Sequence, residues 1–212
     1  MGGPCRRFMG AAQGGKAERM NVIRQVGRDD EPKVYELTLE DFRTLHDAGA
    51  LDERAKVELI EGVLYEVAAQ KNRHSFMKSE LGRRIANKLD ALGSPLKAVV
   101  EPTVAMPPKS APEPDIALTA DTARNDYMNL DTVALLIEVS STTLSFDLRR
   151  KAALYAKNGV AEYWVVDVAN DVVHRHWEPA GGVYRHKDKI TLGSELASIT
   201  MPELAIDTAN LV

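Results

Sequence analysis

The chain has 212 residues, of which 44% are hydrophobic and 27% charged, and this composition excludes a fibrous or fully disordered protein. The single cysteine, Cys5, excludes an internal disulfide and a zinc site built from several cysteines, a usage expected in the reducing cytoplasm. The formal net charge of -4 argues against non-specific coating of nucleic acid but allows a local basic face, and no stretch predicts a membrane span.

The N-terminal residues 1–33 predict a disordered tail. They are rich in glycine, arginine and alanine, show no apolar period and end in a charged run. The rest of the chain has the length of one ordinary domain. We therefore predict a single folded domain over residues 34–212.

The predicted elements begin with a short helix that Thr38 caps and Gly49 ends. Two strand-like runs within Val57–Val67 flank Glu61-Gly62 and predict a β-hairpin. A long helix capped by Asn72 follows. Its apolar residues recur at intervals of three and four, which predicts one buried stripe: Met77, Leu81, Ile85, Leu89 and Leu92.

The second half of the chain predicts mainly strands. The strand-like runs are Lys97–Val104, Asp115–Leu118, Val133–Val139, Glu162–Val168, Val172–Trp177 and, more weakly, Val183–His186. One helix, capped by Ser141 or Ser145, ends at Gly159. The runs VALLIEV and YWVVDV are apolar almost throughout, as in strands covered on both faces. The order of elements predicts a mixed α/β (α+β) domain with a central sheet.

Two carboxylates lie within these apolar runs. Asp115 follows Glu113-Pro114, and Glu138 lies near the end of the Val133–Val139 run. A buried carboxylate without a partner is costly, and two on neighbouring strands could share Mg²⁺, which proteins hold with one or two carboxylates and water. For each residue alone, a turn cap for Asp115 and an arginine partner for Glu138 are the simpler interpretations.

A lysine on the inward stripe of the next helix accompanies the two carboxylates. The stripe consists of Leu148, Lys151, Ala152 and Tyr155. A lysine at such a position either serves a site or pairs with Asp147 one turn earlier, and the pattern favours neither. Arg149 and Arg150 are expected to point elsewhere, towards solvent or phosphate.

Other polar residues carry weaker signals. Glu58 alternates with apolar neighbours, so it faces away from the core or into a cleft. Residues 71–97 contain seven basic side chains and two acidic ones, which suits either a solvated helix face or phosphate contacts. His174 and His176 share one face of a strand and with His186 could imitate a metal cluster, but an exposed polar face is the preferred interpretation.

Four blocks of the sequence together resemble the Uma-type restriction endonucleases of the PD-(D/E)XK nuclease superfamily. They are VELIEGVLYEV, NRHSFMKSELGRRIANKL, EPDIAL and LLIEVSSTTLSFDLRRKAALYAKNGVAEYWVVD, and the resemblance covers nearly everything from Tyr35 onward. It implies a restriction-endonuclease-like mixed sheet flanked by helices. It also implies a phosphodiesterase site that depends on Mg²⁺ or Mn²⁺.

The resemblance assigns residues to the superfamily motif. Pro114-Asp115 matches its PD and Glu138 its (D/E), which makes Asp115 and Glu138 the implied metal ligands. The motif lysine would fall at Ser140, which cannot supply a cation. Lys151 on the following helix matches the lysine that has moved in this family.

The mechanism implied by the resemblance is metal-dependent hydrolysis of DNA. Glu58 matches an acidic residue that completes such sites directly or through water, and Lys151 would orient or deprotonate the attacking water. His74 matches a histidine often seen at this place in the family. The basic helix Arg73–Lys88 would hold the nucleic-acid backbone, so the implied substrate-binding residues are Arg73, His74, Arg149 and Arg150.

Two other functions remain open at this point. One is a catalytically silent member of the same fold that binds nucleic acid or a protein. The other is a metal-dependent hydrolase of a smaller phosphate ester. The edge of the sheet and the apolar C-terminal stretch Leu196–Val212 could form a homodimer interface, which would suit cleavage of both strands.

Overall fold

The computed structural model describes residues 33–51, 56–67, 69–122 and 125–211. The predicted N-terminal tail therefore lies outside the described residues except for its last residue. The chain from Tyr35 to Val212 forms one compact unit. In the described part of the chain, no helix has both the length and the apolar character needed to cross a membrane.

The structure contains four helices and twelve strands in its described part. The helices are α1 (Leu39–Asp47), α2 (Asn72–Ala91), α3 (Leu144–Phe146) and α4 (Ala152–Lys157), with a 3-10 turn at Leu130–Thr132 and a π-helical turn at Asp147–Lys151. The strands are β1 (Val57–Ile60), β2 (Val63–Glu66), β3 (Lys97–Val100), β4 (Val104–Ala105), β5 (Ile116–Thr119), β6 (Met128–Asn129), β7 (Val133–Ser140), β8 (Glu162–Asp167), β9 (Val172–Ala180), β10 (Val183–Thr191), β11 (Glu195–Ala197) and β12 (Ala205–Asp207).

Six strands form the central sheet, in the order β10-β9-β8-β7-β5-β3. The neighbours β7 and β8 are parallel, because the chain crosses over between them through α3 and α4. The other neighbouring pairs are antiparallel, so the sheet is mixed. Every residue of β8 and the last six residues of β7 are buried, which confirms the prediction of strands covered on both faces.

Alternating side chains divide the sheet between two cores. On the first face, Ile116 and Ile137 pack against the apolar stripe of α2. On the second, Ala117 and Leu136 pack against α4 and the β1–β2 hairpin. The predicted stripe holds except for Leu92, which follows the end of α2 and is 41% exposed.

Local signals at the N-terminal elements are confirmed. Thr38 and Asp41 form a capping box at α1, with Thr38 Oγ1 accepting the Asp41 N–H and Asp41 accepting the Thr38 N–H. Glu61 and Gly62 connect β1 to β2 with φ values of 49° and 83°. Two residues with positive φ are the requirement of a type I′ hairpin turn, which a glycine meets at no steric cost.

Several predicted boundaries are wrong. The residue that precedes α2 is Lys71 without a side-chain cap, and Asn72 is the first helical residue. Thr143, rather than Ser141 or Ser145, precedes α3. The run Lys97–Val104 is divided between two strands because the chain turns at Glu101, where φ is 51°.

The C-terminal segment closes the first face of the sheet. Its apolar side chains belong to the main core: Leu196, Leu204, Ile206 and Leu211 are all buried. The predicted dimer interface is therefore wrong for these side chains, because the subunit itself buries them. Arg84 of α2 also holds this segment by donating to the carbonyl oxygens of Asp207 and Ala209, both at 2.8 Å.

A buried carboxylate fixes the same segment to the centre of the sheet. Glu162 of β8 is 0% exposed and accepts hydrogen bonds from Ser198 Oγ (2.7 Å), Ile199 N (3.0 Å) and Thr200 N (2.9 Å). Its other neighbour, Trp164 Nε1, donates at 2.6 Å. The carboxylate in the core is thus satisfied by Trp164 and by donors from the loop Ser198–Thr200, which offsets the cost of its burial.

Candidate active site

The register of two paired strands brings Asp115 and Glu138 together. Ile116 of β5 lies opposite Ile137 of β7, so Asp115, one residue before β5, falls opposite Glu138. Asp115 is 5% exposed and Glu138 is 4% exposed. Both line a cavity of about 660 Å³ between the β1–β2 hairpin, the start of α2 and the segment that follows β7.

Lys151 enters this cavity from the π-helical turn between α3 and α4. In that turn the Ala152 N–H bonds to the carbonyl of Asp147, five residues earlier. Such turns are rare and are frequent at functional sites. The buried Lys151 Nζ donates to Glu138 Oε1 at 2.9 Å and to Glu58 Oε1 at 3.1 Å. The inward orientation predicted for Lys151 is confirmed.

The alternative partner of Lys151, Asp147, has a different contact. Its Oδ2 accepts a hydrogen bond from Thr143 Oγ1 at 2.6 Å. Burial would lower the pKa of Lys151, but the carboxylates of Glu138, Glu58 and Asp147 together raise it above its ordinary value. The lysine is therefore held as an ammonium ion between carboxylates.

Glu138 is the most strongly perturbed acid of the site. Its Oε1 accepts a hydrogen bond from Tyr155 Oη at 2.8 Å as well as from Lys151. Burial raises the pKa of Glu138 well above its ordinary value; the Lys151 ammonium opposes this, and Asp147, Asp115 and Glu58 add to it. Three neighbouring carboxylates thus surround the buried carboxylate of Glu138. A bound cation would reduce the repulsion between these negative charges.

Glu58 completes the group from strand β1. It is 2% exposed, and its Oε1 accepts the N–H of Glu113 at 3.2 Å. Its Oε2 lies 3.0 Å from Lys151 Nζ but accepts no hydrogen bond from any residue that the structure describes. Burial raises the pKa of Glu58 despite the opposing charge of Lys151. Oε2 of Glu58 could therefore accept a hydrogen bond from a bound water molecule.

Asp115 has the opposite electrostatic character. Its Oδ2 accepts the Val139 N–H at 2.8 Å, and its Oδ1 lies 3.2 Å from His74 Nε2 and 3.6 Å from Lys78 Nζ. Burial raises the pKa of Asp115, but His74, the Val139 N–H and Lys78 outweigh burial and lower it below its ordinary value. These donors hold Asp115 ionised beside Glu138.

The donor set determines which cation this cavity could hold. Among the described residues, no group of three or more Asp, Glu, His or Cys side chains is arranged to hold a metal ion. Mg²⁺ needs less than this, because one or two carboxylates with water and phosphate oxygens complete its shell. The opposed Asp115 and Glu138, with the raised pKa of Glu138, fit such a hard cation.

The predicted substrate-binding residues fall in different places. His74, Arg149 and Arg150 line the cavity, and the two arginines are exposed. Arg150 lies 3.6 Å from Glu61. Arg73 does not line the cavity; its guanidinium donates to the Val168 carbonyl at 2.6 Å and to Asp171 at 2.8 Å.

The basic segment at residues 71–97 is largely paired within the chain. Its ion pairs include Arg73 with Asp171 (2.8 Å), Lys78 with Glu101 (2.8 Å), Arg83 with Glu80 (2.6 Å), Arg84 with Glu80 (2.8 Å) and Lys97 with Asp90 (3.1 Å). Much of its positive charge is neutralised by these carboxylates. The helix therefore offers less to a nucleic-acid backbone than its composition predicts.

Sequence reasoning missed two polar contacts of the site. Lys78 is buried beside Asp115, and it follows His74 by four residues on α2, a spacing that places both on one face. Tyr155 likewise follows Lys151 by four residues and reaches the same carboxylate. In both cases the four-residue spacing along a helix could have indicated that the two side chains reach the same carboxylate.

The histidines of β9 and β10 do not converge. His186 pairs with Trp177 and stacks on it, whereas His176 pairs with Lys187, so His176 and His186 lie on opposite faces. His176 is buried against Tyr163 and Tyr184. The prediction of an exposed polar strand face is therefore wrong for His176.

Removing Asp115 and neutralising Glu138 are expected to have unequal effects on stability. Asp115→Ala should lower the free energy of unfolding by about 1–3 kcal/mol, because the buried Val139 N–H loses its acceptor. Glu138→Gln should stay within about 1 kcal/mol of wild type, because it removes a carboxylate that burial opposes and keeps an acceptor oxygen. Urea denaturation in EDTA measures both; equal losses would contradict the contrast in their surroundings.

Comparisons with known proteins identify a family and a similar fold. The family model Uma2, described as "Putative restriction endonuclease", matches residues 39–209. A crystal structure described as a putative nuclease belonging to DUF820, from Anabaena variabilis ATCC 29413, is similar with a TM-score of 0.61 and 17% sequence identity. The match covers 82% of this chain and 97% of that chain, and it confirms the predicted mixed fold. A search of curated proteins found no match.

Proposed function

Because the chain belongs to the Uma2 family, we propose that it is a metal-dependent endonuclease that hydrolyses phosphodiester bonds in DNA. One observation carries the proposal: a buried ammonium, Lys151, lies between Glu58 and Glu138 at the floor of a cavity that Asp115 also lines. Perturbed acids around a lysine in a cleft are typical of catalytic sites.

Asp115 and Glu138 are the proposed metal ligands. Mg²⁺ or Mn²⁺ bound there would supply Lewis-acid activation of the scissile phosphate. Asp115 is suited to the role because His74 and the Val139 N–H fix its two oxygens. Glu138 is suited because burial and the neighbouring carboxylates raise its pKa despite the Lys151 ammonium, and a bound cation would favour its charged form.

Lys151 and Glu58 have complementary proposed roles. The raised pKa of Lys151 keeps its ammonium protonated, so it serves to stabilise negative charge on the phosphorus oxygens rather than to deprotonate water. Burial raises the pKa of Glu58 towards neutral pH. A carboxylate whose pKa lies closer to the working pH is a better proton acceptor for the attacking water. Both charges are buried, where electrostatic effects are larger than in water.

A nicking assay tests the proposal. The substrates are supercoiled plasmid and circular single-stranded DNA, each with Mg²⁺, Mn²⁺ or EDTA. We expect metal-dependent cleavage of at least one substrate, none in EDTA, and at least a roughly 100-fold lower rate for Asp115→Asn. The matched control is Asp90→Asn, whose side chain is exposed and paired with Lys97, and it should cleave like wild type. Absence of cleavage on both substrates, or wild-type cleavage by Asp115→Asn, would overturn the assignment.

A further inference from the structure

The wall of the cavity carries an aromatic pair. Tyr65 of β2 and Phe146 of α3 both line it, with ring centroids 5.1 Å apart and planes inclined by 52°. The guanidinium carbon of Arg150 lies 5.7 Å from the centre of the Tyr65 ring. Both aromatic rings are only partly buried, so part of their surface remains open. Aromatic rings beside arginines are the groups on which nucleic-acid bases stack.

The reactive groups lie deep in the cavity. Glu58, Glu138 and Lys151 are exposed by only 2%, 4% and 5%. A phosphate can reach them only by entering the cavity, whose volume of about 660 Å³ is of the size that encloses one small molecule. The space is large enough for one nucleotide.

The pairing of basic side chains on α2 also argues against a tight grip on duplex DNA. A protein that grips duplex DNA neutralises several phosphates with lysines and arginines. Here Lys78, Arg83 and Arg84 are paired with acidic side chains of the chain itself. Arg149, exposed on the rim, is placed to meet one phosphate next to the nucleotide that enters.

We propose that the cavity takes one unpaired nucleotide of a single-stranded nucleic acid. Its base stacks on Tyr65 beside Phe146, its phosphate points to the carboxylates of the floor, and a flanking phosphate contacts Arg149. This inference rests on the proposed function, because it names the substrate class of the same site. It assigns to the aromatic pair a part in binding that the metal-dependent chemistry does not require.

The test measures, by fluorescence anisotropy, how tightly the protein binds single-stranded and duplex nucleic acid. The probes are a labelled 12-nucleotide single-stranded DNA, an RNA of the same sequence and the matching DNA duplex, with Ca²⁺ and with EDTA, each checked for integrity on a gel. We expect at least one single strand to bind about tenfold tighter than the duplex. Tyr65→Leu should weaken that binding by about 5- to 100-fold, the range expected for one stacked base.

Three further variants control for folding and for general loss of aromatic surface. Tyr65→Phe keeps the ring and should retain affinity within about twofold, and Phe146→Leu serves if Tyr65→Leu fails to fold. Phe76→Leu removes an aromatic ring that is 64% exposed on α2 and does not line the cavity, so its affinity should be unchanged. Duplex binding as tight as single-strand binding, or unchanged binding by folded Tyr65→Leu, would overturn the inference.

Parallel cleavage of the same oligonucleotides with Mg²⁺ separates the two proposals. Cleavage of the duplex without preferential binding of single strands would leave the proposed nuclease standing and remove the inference. Preferential, Tyr65-dependent binding without cleavage would support the nucleotide cavity and contradict the nuclease. DNA and RNA strands that differ in affinity would identify which of them the cavity takes.

Discussion

Lys151→Met is expected to reduce cleavage at least about 100-fold, because the charge that stabilises the transition state is lost. The same change should lower the free energy of unfolding in EDTA by about 3–5 kcal/mol, because removing one partner leaves buried charges uncompensated. The two partners are Glu58 and Glu138, at 3.0 and 2.9 Å from Nζ. Urea denaturation and the nicking assay measure the two effects separately.

A divalent cation should restore part of that lost stability. In Lys151→Met, two buried carboxylates face the cavity without the ammonium, so a cation bound beside Asp115 should stabilise the variant more than wild type. Thermal melting with Mg²⁺ and with EDTA measures the difference. Equal shifts of the melting temperature in both proteins would contradict the proposed position of the metal.

Two further variants serve as controls for Lys151→Met. Lys157→Met removes an exposed lysine of α4, 3.4 Å from Glu61, and should leave cleavage and stability nearly unchanged. The double variant Lys151→Met with Glu138→Gln should be more stable in EDTA than Lys151→Met alone, because one of the unpaired charges is gone. If Lys151→Met were as stable as wild type in EDTA, the ion pairs with Glu58 and Glu138 would contribute nothing to the fold.

Glu162→Ala is expected to destabilise the protein by about 3–5 kcal/mol without involving the cavity, because several buried donors lose their acceptor. Those donors are Ser198 Oγ, the N–H groups of Ile199 and Thr200, and Trp164 Nε1. A loss of this size is exceptional for one substitution and follows from the number of donors left unpaired. Tryptophan fluorescence, to which Trp164 and Trp177 both contribute, would follow unfolding in urea.

Isosteric and surface variants separate charge from packing at Glu162. Glu162→Gln keeps the shape but turns an amide group towards N–H donors, so it should be nearly as destabilising as alanine. Glu195→Gln changes an exposed glutamate of β11 and should stay within about 0.5 kcal/mol of wild type. A loss below about 1 kcal/mol for Glu162→Ala would mean that apolar packing of Leu196 and Leu204 holds the segment instead.

Periodicity in the sequence predicts the parts of this fold whose signals are local. The stripe of Met77, Leu81, Ile85 and Leu89 identifies the buried face of α2, and the apolar runs identify β7 and β8. Boundaries are less predictable because they depend on backbone geometry. Glu101 turns the chain with a positive φ, which no residue-type preference indicates for a glutamate.

The candidate site is predicted only in part, because its contacts join distant residues. Glu58 and Lys151 are 93 residues apart, so no local pattern reveals their ion pair. The inward stripe predicted for the helix after β7 indicates the direction of Lys151, and the resemblance to a family links it to Asp115 and Glu138. Two ion pairs of the basic segment, Lys78 with Glu101 and Arg73 with Asp171, use carboxylates from outside that segment, so its composition alone overstates its free charge.

The hydrogen bonds of Glu162 have a consequence for the synthesis of the protein. Its strand, β8, lies in the middle of the sheet, yet the loop that satisfies its carboxylate is translated more than thirty residues later, at Ser198–Thr200. While the ribosome still holds that loop, the nascent sheet contains a desolvated negative charge with most of its donors missing. The native core around Glu162 can therefore close only after this loop has left the ribosomal exit tunnel.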